Sequence, residues 1–342
     1  MTSVGLHGRA PYKTCVTHGF VVDVDGKKIS KSSSYSKPMD AGHFVGKHGA
    51  DIVRLWVSSV NYTDDVPFSE EMFTRLGDTY RRIRNTLRIL LGNLEGPAPS
   101  GPNSNDGTLI DRWILHRLQQ VITECREAYA AYEFHKVYHT LNHFCAVDLS
   151  SLYVDITKDR MYCDAPASPR RSATQSAMLE VLEAMIKLLA PILAFTAEEA
   201  WGYLGRGGSI HLQEFPAVDR TRVDNDAQTA VTELLQLRGV IGQEVERARQ
   251  AKLIGNALEA RVVLRCEPGA TAGLSKEELE EFFILSDLQV ESSSETSASI
   301  TKTPYTKCSR CWRHRDSVGN SSAHPELCDR CEKVVTTNER AQ

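Results

Sequence analysis

The stretch SEEMFTRLGDTYRRIRNTLRILLGNL, residues 69–94, indicates the fold class of this chain. Ser69 is suited to cap a helix whose first turn holds two glutamates and whose later turns hold arginines, an order that matches the helix dipole. Apolar residues recur at three- and four-residue spacing at Tyr80, Ile83, Leu87, Leu90, Leu91 and Leu94. The stretch therefore predicts a long helix with one face in a core.

Similar patterns continue on both sides of this helix. Residues 109–131, 133–158 and 173–190 each predict a long helix, Pro191 ends the last one, and residues 96–102 predict a loop. We therefore expect an antiparallel helical bundle over about residues 58–205. Beyond it, the patterns predict a helix from 225 to 252, a strand at 260–264, a helix that starts at a Ser275/Glu278 capping box, and a serine-rich linker at 291–299. Residues 12–30 predict a β-hairpin that turns at Asp25-Gly26.

Composition is that of a globular protein. The 342 residues are 41% hydrophobic and 25% charged with a net charge of −4, which excludes a fibre or a fully disordered chain. No apolar run approaches the roughly 20 residues of a membrane span, and the first residues lack a signal peptide, so we expect a soluble, cytoplasmic protein without a membrane partner. Residues 1–57 carry a balance of +4 and residues 301–342 one of +3, so both ends could meet a polyanion.

Nine cysteines divide into two groups. Five are scattered through apolar or helix-forming segments, where a free cysteine is typically a small buried hydrophobe. They are Cys15, Cys125, Cys145, Cys163 and Cys266. The other four form two CxxC pairs at the end of the chain: Cys308, Cys311, Cys328 and Cys331. This spacing predicts one structural zinc ion held by four thiolates, with no open position for a catalytic water. A cluster of buried or redox-active cysteines is the alternative, and His314 or His324 could replace a sulfur.

The residues around the first CxxC pair suggest a function for it. Arg310 and Trp312 flank Cys311, and two more arginines follow. Aromatic rings and guanidinium groups stack on unpaired RNA bases, so both residues are candidates for RNA contact. The alternative is that Trp312 packs over the zinc knuckle as part of a very small core.

A second motif, KISKS, occupies residues 28–32. Lys28 and Lys31 lie three apart on a serine-rich, non-helical segment, where they could form a mobile clamp for a polyphosphate. A solvated basic loop is the alternative.

KISKS resembles the KMSKS signature of class I aminoacyl-tRNA synthetases, and further segments resemble the isoleucyl-tRNA synthetase family. Near the start these are HGFVVD at 18–23, DGKKISKS at 25–32 and GADIVRLW at 49–56. Later segments are YRRIRNT at 80–86, DRWIL at 111–115, KDRMY at 158–162, APIL at 190–193, FTAEEAW at 195–201 and CSRCW at 308–312.

The resemblance implies a mainly α fold in four parts. Residues 1–57 would be the end of an α/β class I catalytic domain, 58–220 a helical anticodon-binding domain, 221–300 a small α+β region with a linker, and 301–342 a zinc-ribbon-like module. It implies the ATP-dependent attachment of isoleucine to its tRNA, with Mg²⁺ accompanying ATP. Lys31 would bind ATP with Lys28 assisting, the four terminal cysteines would hold zinc, and Arg310 and Trp312 would contact the anticodon arm of the isoleucine tRNA. No DNA partner is implied.

The sequence also departs from that family. Ser33, Ser34 and Tyr35 replace its usual Leu-Gly-Asn, and no His-x-Gly-His motif occurs. The nucleotide-binding half, the amino-acid pocket and the editing domain would lie before residue 1, so we expect this chain to be inactive alone and to act with a separate N-terminal half. The alternative is a non-catalytic tRNA-binding module or a truncated paralogue.

One further pattern is a helical histidine stripe at His135, His139 and His143. It has no carboxylate neighbours on the stripe, so packing and surface roles are favoured over a metal site.

Overall fold

A computed structural model describes residues 1–23, 25–29, 40–94 and 107–339 of the chain. Helices dominate it: α1 (Thr2–His7), α2 (Ala41–His48), α3 (Ala50–Ser59), α4 (Glu70–Asn93), α5 (Leu109–Ala130), α6 (Phe134–His143), α7 (Val154–Cys163), α8 (Pro169–Leu189), α9 (Ala194–Tyr203), α10 (Asn225–Gln250), α11 (Lys276–Phe283) and α12 (Asp329–Glu339). The strands are β1 (Val21–Val22), β2 (Val66–Pro67), β3 (Ala260–Cys266), β4 (Asp287–Ser292), β5 (Ser297–Lys302), β6 (Thr306–Lys307) and β7 (His314–Arg315). The predicted mainly α fold is confirmed, and no helix of the described ranges is long and apolar enough to cross a bilayer.

The chain forms two compact units. One comprises Met1–Arg84, Glu124–Asn142 and Ile186–Glu214, and the other comprises Asn85–Thr123, His143–Met185 and the chain from Phe215 onward.

The first unit has an aromatic core. Phe44 on α2 and Phe73 on α4 stack at 5.1 Å between ring centroids, and Phe68 and Trp56 pack on them edge-on or tilted. Buried Asp51 on α3 accepts hydrogen bonds from the backbone N–H and the hydroxyl of Thr196, at 2.8 and 2.6 Å, and so caps α9. These contacts tie the segment that resembles a catalytic domain to helices that follow it.

The second unit contains a three-stranded sheet in the order β4-β3-β5, with β3 parallel to β4 and antiparallel to β5. Helix α11 begins at the predicted capping box, in which the Ser275 and Glu278 side chains each bond the other residue's backbone N–H. The prediction of a linker over residues 291–299 is wrong, because β4 and β5 occupy most of it. A serine-rich composition does not prevent strand formation where edge strands can pair with a buried central strand.

A buried charge network joins three helices of this unit. The guanidinium of Arg160 on α7 is 2% exposed. It donates to Glu281 on α11 at 2.9 and 2.6 Å and to Asp111 on α5 at 3.1 Å. Because a buried charge is costly unless paired, this set of contacts fixes the three helices against one another.

Two predicted elements differ in detail. The helix predicted over 133–158 is interrupted, since Phe144–Tyr153 forms a π-helix between α6 and α7. In this π-helix two adjacent residues are buried in every four, and Asp148 and Tyr153 are among them. Asp148 accepts a hydrogen bond from Arg117, and the hydroxyl of Tyr153 donates to Asp111. Of the hairpin predicted at 12–30, the residues that the structure describes pair only near the turn, where Val22 bridges Lys28 and Ile29 donates to Val21 at 3.1 Å.

Candidate functional site

The four terminal cysteines converge at one point. Their sulfur atoms all lie within 4.8 Å of one another, although the two CxxC pairs are 16 residues apart in sequence. Three of the side chains are buried, and Cys311 is half-buried. Four thiolates at this spacing match the closed tetrahedral shell of a structural zinc site.

Local structure explains how the sulfurs are presented. Cys308 and Cys311 lie on the turn between β6 and β7, while Cys328 precedes α12 and Cys331 lies in its first turn. The backbone N–H of Cys328 donates to the sulfur of Cys308 at 3.4 Å and so links the two CxxC pairs. In the described part of the module, Val318, Leu327 and Val335 are the apolar residues that pack around the sulfurs. So small an apolar core needs the metal to hold it together.

Trp312 lies in the turn between β6 and β7, directly after Cys311, and has an unusual backbone conformation. Its backbone φ is +64°, a left-handed value that is strained for a bulky residue, and its N–H donates to the carbonyl of Cys308 at 3.0 Å. The side chain is nevertheless 63% exposed, with the ammonium of Lys307 at 5.3 Å from the ring centroid. The ring is therefore presented to solvent and is absent from the core of the module.

Arg310, the other predicted RNA contact, is half-buried and engaged by the protein. Its guanidinium donates to the carbonyl of Cys163 at 2.5 Å and to that of Tyr162 at 3.4 Å, both in the last turn of α7. It also lies 3.6 Å from the sulfur of Cys331. A cation at the carbonyl end of a helix is favourable, so Arg310 fastens the zinc turn to α7.

Three other arginines of the zinc module bind carboxylates on α7 and α11. Arg330 makes a two-pronged contact with Asp159 on α7, at 2.6 and 2.8 Å, and Arg313 lies 3.6 Å from the same carboxylate. Burial would raise the pKa of Asp159, but the hydrogen bonds from Arg330 and the charges around it lower that pKa to about 2. Arg315 donates to buried Glu280 of α11 at 2.7 Å.

Sequence reasoning missed these carboxylates. Asp159 was singled out only as part of the KDRMY segment, and no motif of the sequence singled out Glu280. Their partners lie 171 and 35 residues away in sequence, a separation at which no local pattern signals a contact.

The predicted phosphate clamp is described only in part. Lys31 lies outside the described residues, as do Ser30 and the residues 32–39 that follow it. Lys28 is exposed, and its ammonium lies 3.7 Å from the centroid of the Phe20 ring. Such a contact is an attractive cation–π interaction.

Phe20 is itself fixed by backbone contacts. Its N–H donates to a carboxylate oxygen of Asp65 at 2.7 Å, and its carbonyl accepts from Val66 at 2.8 Å. At the preceding residue, Gly19, any β-carbon would collide with the backbone of Asp64. Gly19 is therefore required for close packing of this segment. The backbone contacts of Phe20 fix the ring against which Lys28 lies.

The histidine stripe brings no metal site together. His135 is half-buried, whereas His139 and His143 are exposed. Within the described ranges, the four terminal cysteines are the only group of three or more histidine, cysteine or acidic residues whose ligand atoms converge.

Three family models match the chain. Residues 1–69 match class I tRNA synthetases (I, L, M and V), residues 111–264 match the anticodon-binding domain of tRNA ligases, and residues 307–334 match the zinc finger found in FPG and IleRS. The last match and the sulfur cluster together show one structural zinc site.

Curated relatives match along nearly the whole chain. The isoleucine–tRNA ligase of Methylacidiphilum infernorum (isolate V4) is 42% identical over 339 residues, which are 98% of this chain and 37% of the relative. That of Syntrophotalea carbinolica is 40% identical over 353 residues, covering 98% of this chain and 38% of the relative. The chain thus spans a little over a third of the length of these relatives.

A solved structure supports the fold. The LeuRS of Agrobacterium radiobacter K84, in a ternary complex with tRNA and LeuAMS, aligns over 74% of this chain and 26% of its own, with a TM-score of 0.50 and 17% identity. Along 98% of its length, this chain is therefore similar to curated isoleucine–tRNA ligases at about 40% identity.

Proposed function

We propose that this chain carries out the C-terminal functions of a cytoplasmic isoleucine–tRNA ligase, namely binding of the anticodon arm of the isoleucine tRNA and closure of a lysine loop over ATP. Its parts would be the end of the catalytic domain at 1–57, the anticodon-binding helices at 58–220, a small α+β region at 221–300 and a zinc module at 301–342. The observation that carries the tRNA-binding role is the four-sulfur cluster that holds Trp312 exposed to solvent.

The zinc module would work through rigidity. Cys308, Cys311, Cys328 and Cys331 are the proposed ligands, and with four thiolates bound the ion has no position left for chemistry. Zinc would instead fix the turn from which Trp312 projects. Stacking of an unpaired base on this ring supplies affinity with little sequence preference, while Arg310 contributes by holding the turn on α7.

The lysine segment would assist adenylate formation, in which the isoleucine carboxylate attacks the α-phosphate of ATP and pyrophosphate leaves. Mg²⁺ bound with ATP supplies charge neutralisation at the phosphates. Lys28 and Lys31 would place ammonium groups near the departing pyrophosphate, where negative charge develops. Lys28 would have to leave the ring of Phe20 to do so, which makes the observed contact a resting position.

The complete reaction requires residues that these 342 positions do not contain. We propose that a polypeptide of this sequence shows no ATP–pyrophosphate exchange by itself, since it has no His-x-Gly-His motif. An N-terminal synthetase portion would supply that motif, the amino-acid pocket and the editing domain.

The test is to mix the purified chain with a separately expressed N-terminal portion of a relative and to measure aminoacylation of an isoleucine-tRNA transcript. We expect charging only in the mixture, and its loss with Lys31→Ala. Binding of the transcript without charging in any mixture would favour a non-catalytic tRNA-binding module. Absence of both binding and charging would overturn the proposal.

A further inference from the structure

A second exposed aromatic ring lies beside the zinc turn. Tyr162 occupies the last turn of α7 and is 66% exposed. Its carbonyl accepts from the guanidinium of Arg310 at 3.4 Å, and the sulfur of its neighbour Cys163 lies 3.9 Å from the carbonyl of Arg310. The turn and the helix end are thus joined through side-chain contacts in both directions.

Trp312 follows Arg310 by two residues, a distance of at most about 7 Å along an extended chain. Arg310 thus connects two largely exposed aromatic residues, Trp312 two positions further along the same turn and Tyr162, whose carbonyl it binds. Two cationic side chains accompany these aromatic residues. Lys307 lies against Trp312, and Arg310 lies between the two backbones.

This surface differs from a protein-docking patch, which would present contiguous apolar area. Separate aromatic faces with a cation nearby suit unpaired nucleotides, because each base has a flat face to stack and each phosphate a charge to meet. The strained backbone of Trp312 adds an independent sign of function, since the strain is maintained at a mostly exposed ring.

We propose that Tyr162 and Trp312 form a two-ring stacking surface for unpaired bases of an RNA loop. The proposal rests on the tRNA-binding function proposed above and extends the contact from the zinc module to α7. Arg310 acts in it as a positioning residue, because it ties the carbonyl end of α7 to the turn that carries Trp312.

The experiment measures the affinity of the full chain for an isolated anticodon stem–loop of the isoleucine tRNA, by fluorescence anisotropy, in four variants. We expect Tyr162→Ala and Trp312→Ala each to weaken binding by about 5- to 150-fold, the range for loss of one stacked base. Tyr162→Phe retains the ring and should bind within about twofold of the parent. Tyr12→Ala removes a ring that is 64% exposed near the start of the chain, outside the parts proposed to bind the anticodon arm, and should leave binding unchanged.

Zinc content and thermal unfolding are measured on every variant, and Tyr162→Leu, which keeps apolar bulk without a ring, replaces the alanine variant if that protein fails to fold. Parent-like binding by Tyr162→Ala or Tyr162→Leu, with weakened binding by Trp312→Ala, overturns this inference and leaves the proposed function standing. Parent-like binding by both the Tyr162 and the Trp312 variants overturns the RNA-contact role of the zinc module as well. A defect in Tyr162→Phe equal to that of the alanine variant would assign the effect to the hydroxyl and also overturn the stacking surface.

Discussion

Replacement of Trp312 by glycine separates a packing role from an RNA-binding role. Glycine adopts the observed φ of +64° freely, so the substitution relieves a backbone strain of about 1 to 3 kcal/mol. Against this stand a loss of about 0.5 to 1 kcal/mol in chain entropy and a similar loss of the exposed cation–π contact with Lys307. The free energy of unfolding should therefore change by between a loss of about 1 kcal/mol and a gain of about 2 kcal/mol.

RNA binding should respond differently. Stacking of one base is worth about 1 to 3 kcal/mol, so the Kd for an isoleucine-tRNA transcript should rise about 5- to 150-fold in Trp312→Gly. On the same preparation, urea unfolding measures the free energy of unfolding, a metal assay measures the zinc content, and an anisotropy titration measures the Kd for the transcript. A variant that keeps its zinc and its RNA affinity while losing more than about 2 kcal/mol of stability would show that the ring serves packing and would refute the reasoning.

Three further predictions concern other parts of the chain. Asp159→Asn should lower the free energy of unfolding by about 2 kcal/mol in urea, because the guanidinium of Arg330 loses its two-pronged partner. Titration with a thiol reagent at pH 8 should detect exposed Cys15 first, and a zinc chelator should make four additional thiols reactive. Phe20→Leu, assayed in the aminoacylation mixture, should alter the KM for ATP while leaving tRNA affinity unchanged, because the ring against which Lys28 lies is lost.

Each of these has a control. Glu244→Gln removes an exposed (i, i+3) ion pair with Arg247 and should lower the free energy of unfolding by at most about 0.5 kcal/mol. An equally small effect of Asp159→Asn would show that its contact with Arg330 does not stabilise the protein. Burial raises the pKa of Cys125 to about 12, which keeps its thiolate scarce at pH 8; rapid reaction of that thiol would indicate local unfolding instead of zinc release. Phe20→Tyr keeps a ring under the ammonium and should behave like the parent.

Local patterns predicted most of the helical fold because each signal lies within a few residues. The face of α4, the capping box of α11 and the two CxxC pairs are of this kind, and the structure contains all three. Metal-ligand spacing is also a local property, so the sulfur cluster could be anticipated before any fold was known.

Long-range contacts were not visible in the sequence. The π-helix between α6 and α7 places Asp148 and Tyr153 in contact with residues of α5, which lie far away in sequence. Strands β4 and β5 form because both pair with β3, which lies between them in the sheet. Likewise, the residues around Trp312 suggested RNA contact but could not show that the guanidinium of Arg310 binds the end of α7. Partners that lie over 100 residues apart must be found by folding the chain.

The most direct measurement of the central claim compares two tRNA transcripts, one that accepts isoleucine and one in which only the anticodon bases are exchanged. The zinc-loaded chain should bind the first more tightly than the second, and removal of zinc should weaken binding of the first. Equal affinity for the two transcripts, unchanged by removal of the metal, would contradict a zinc-supported role in recognising the anticodon arm.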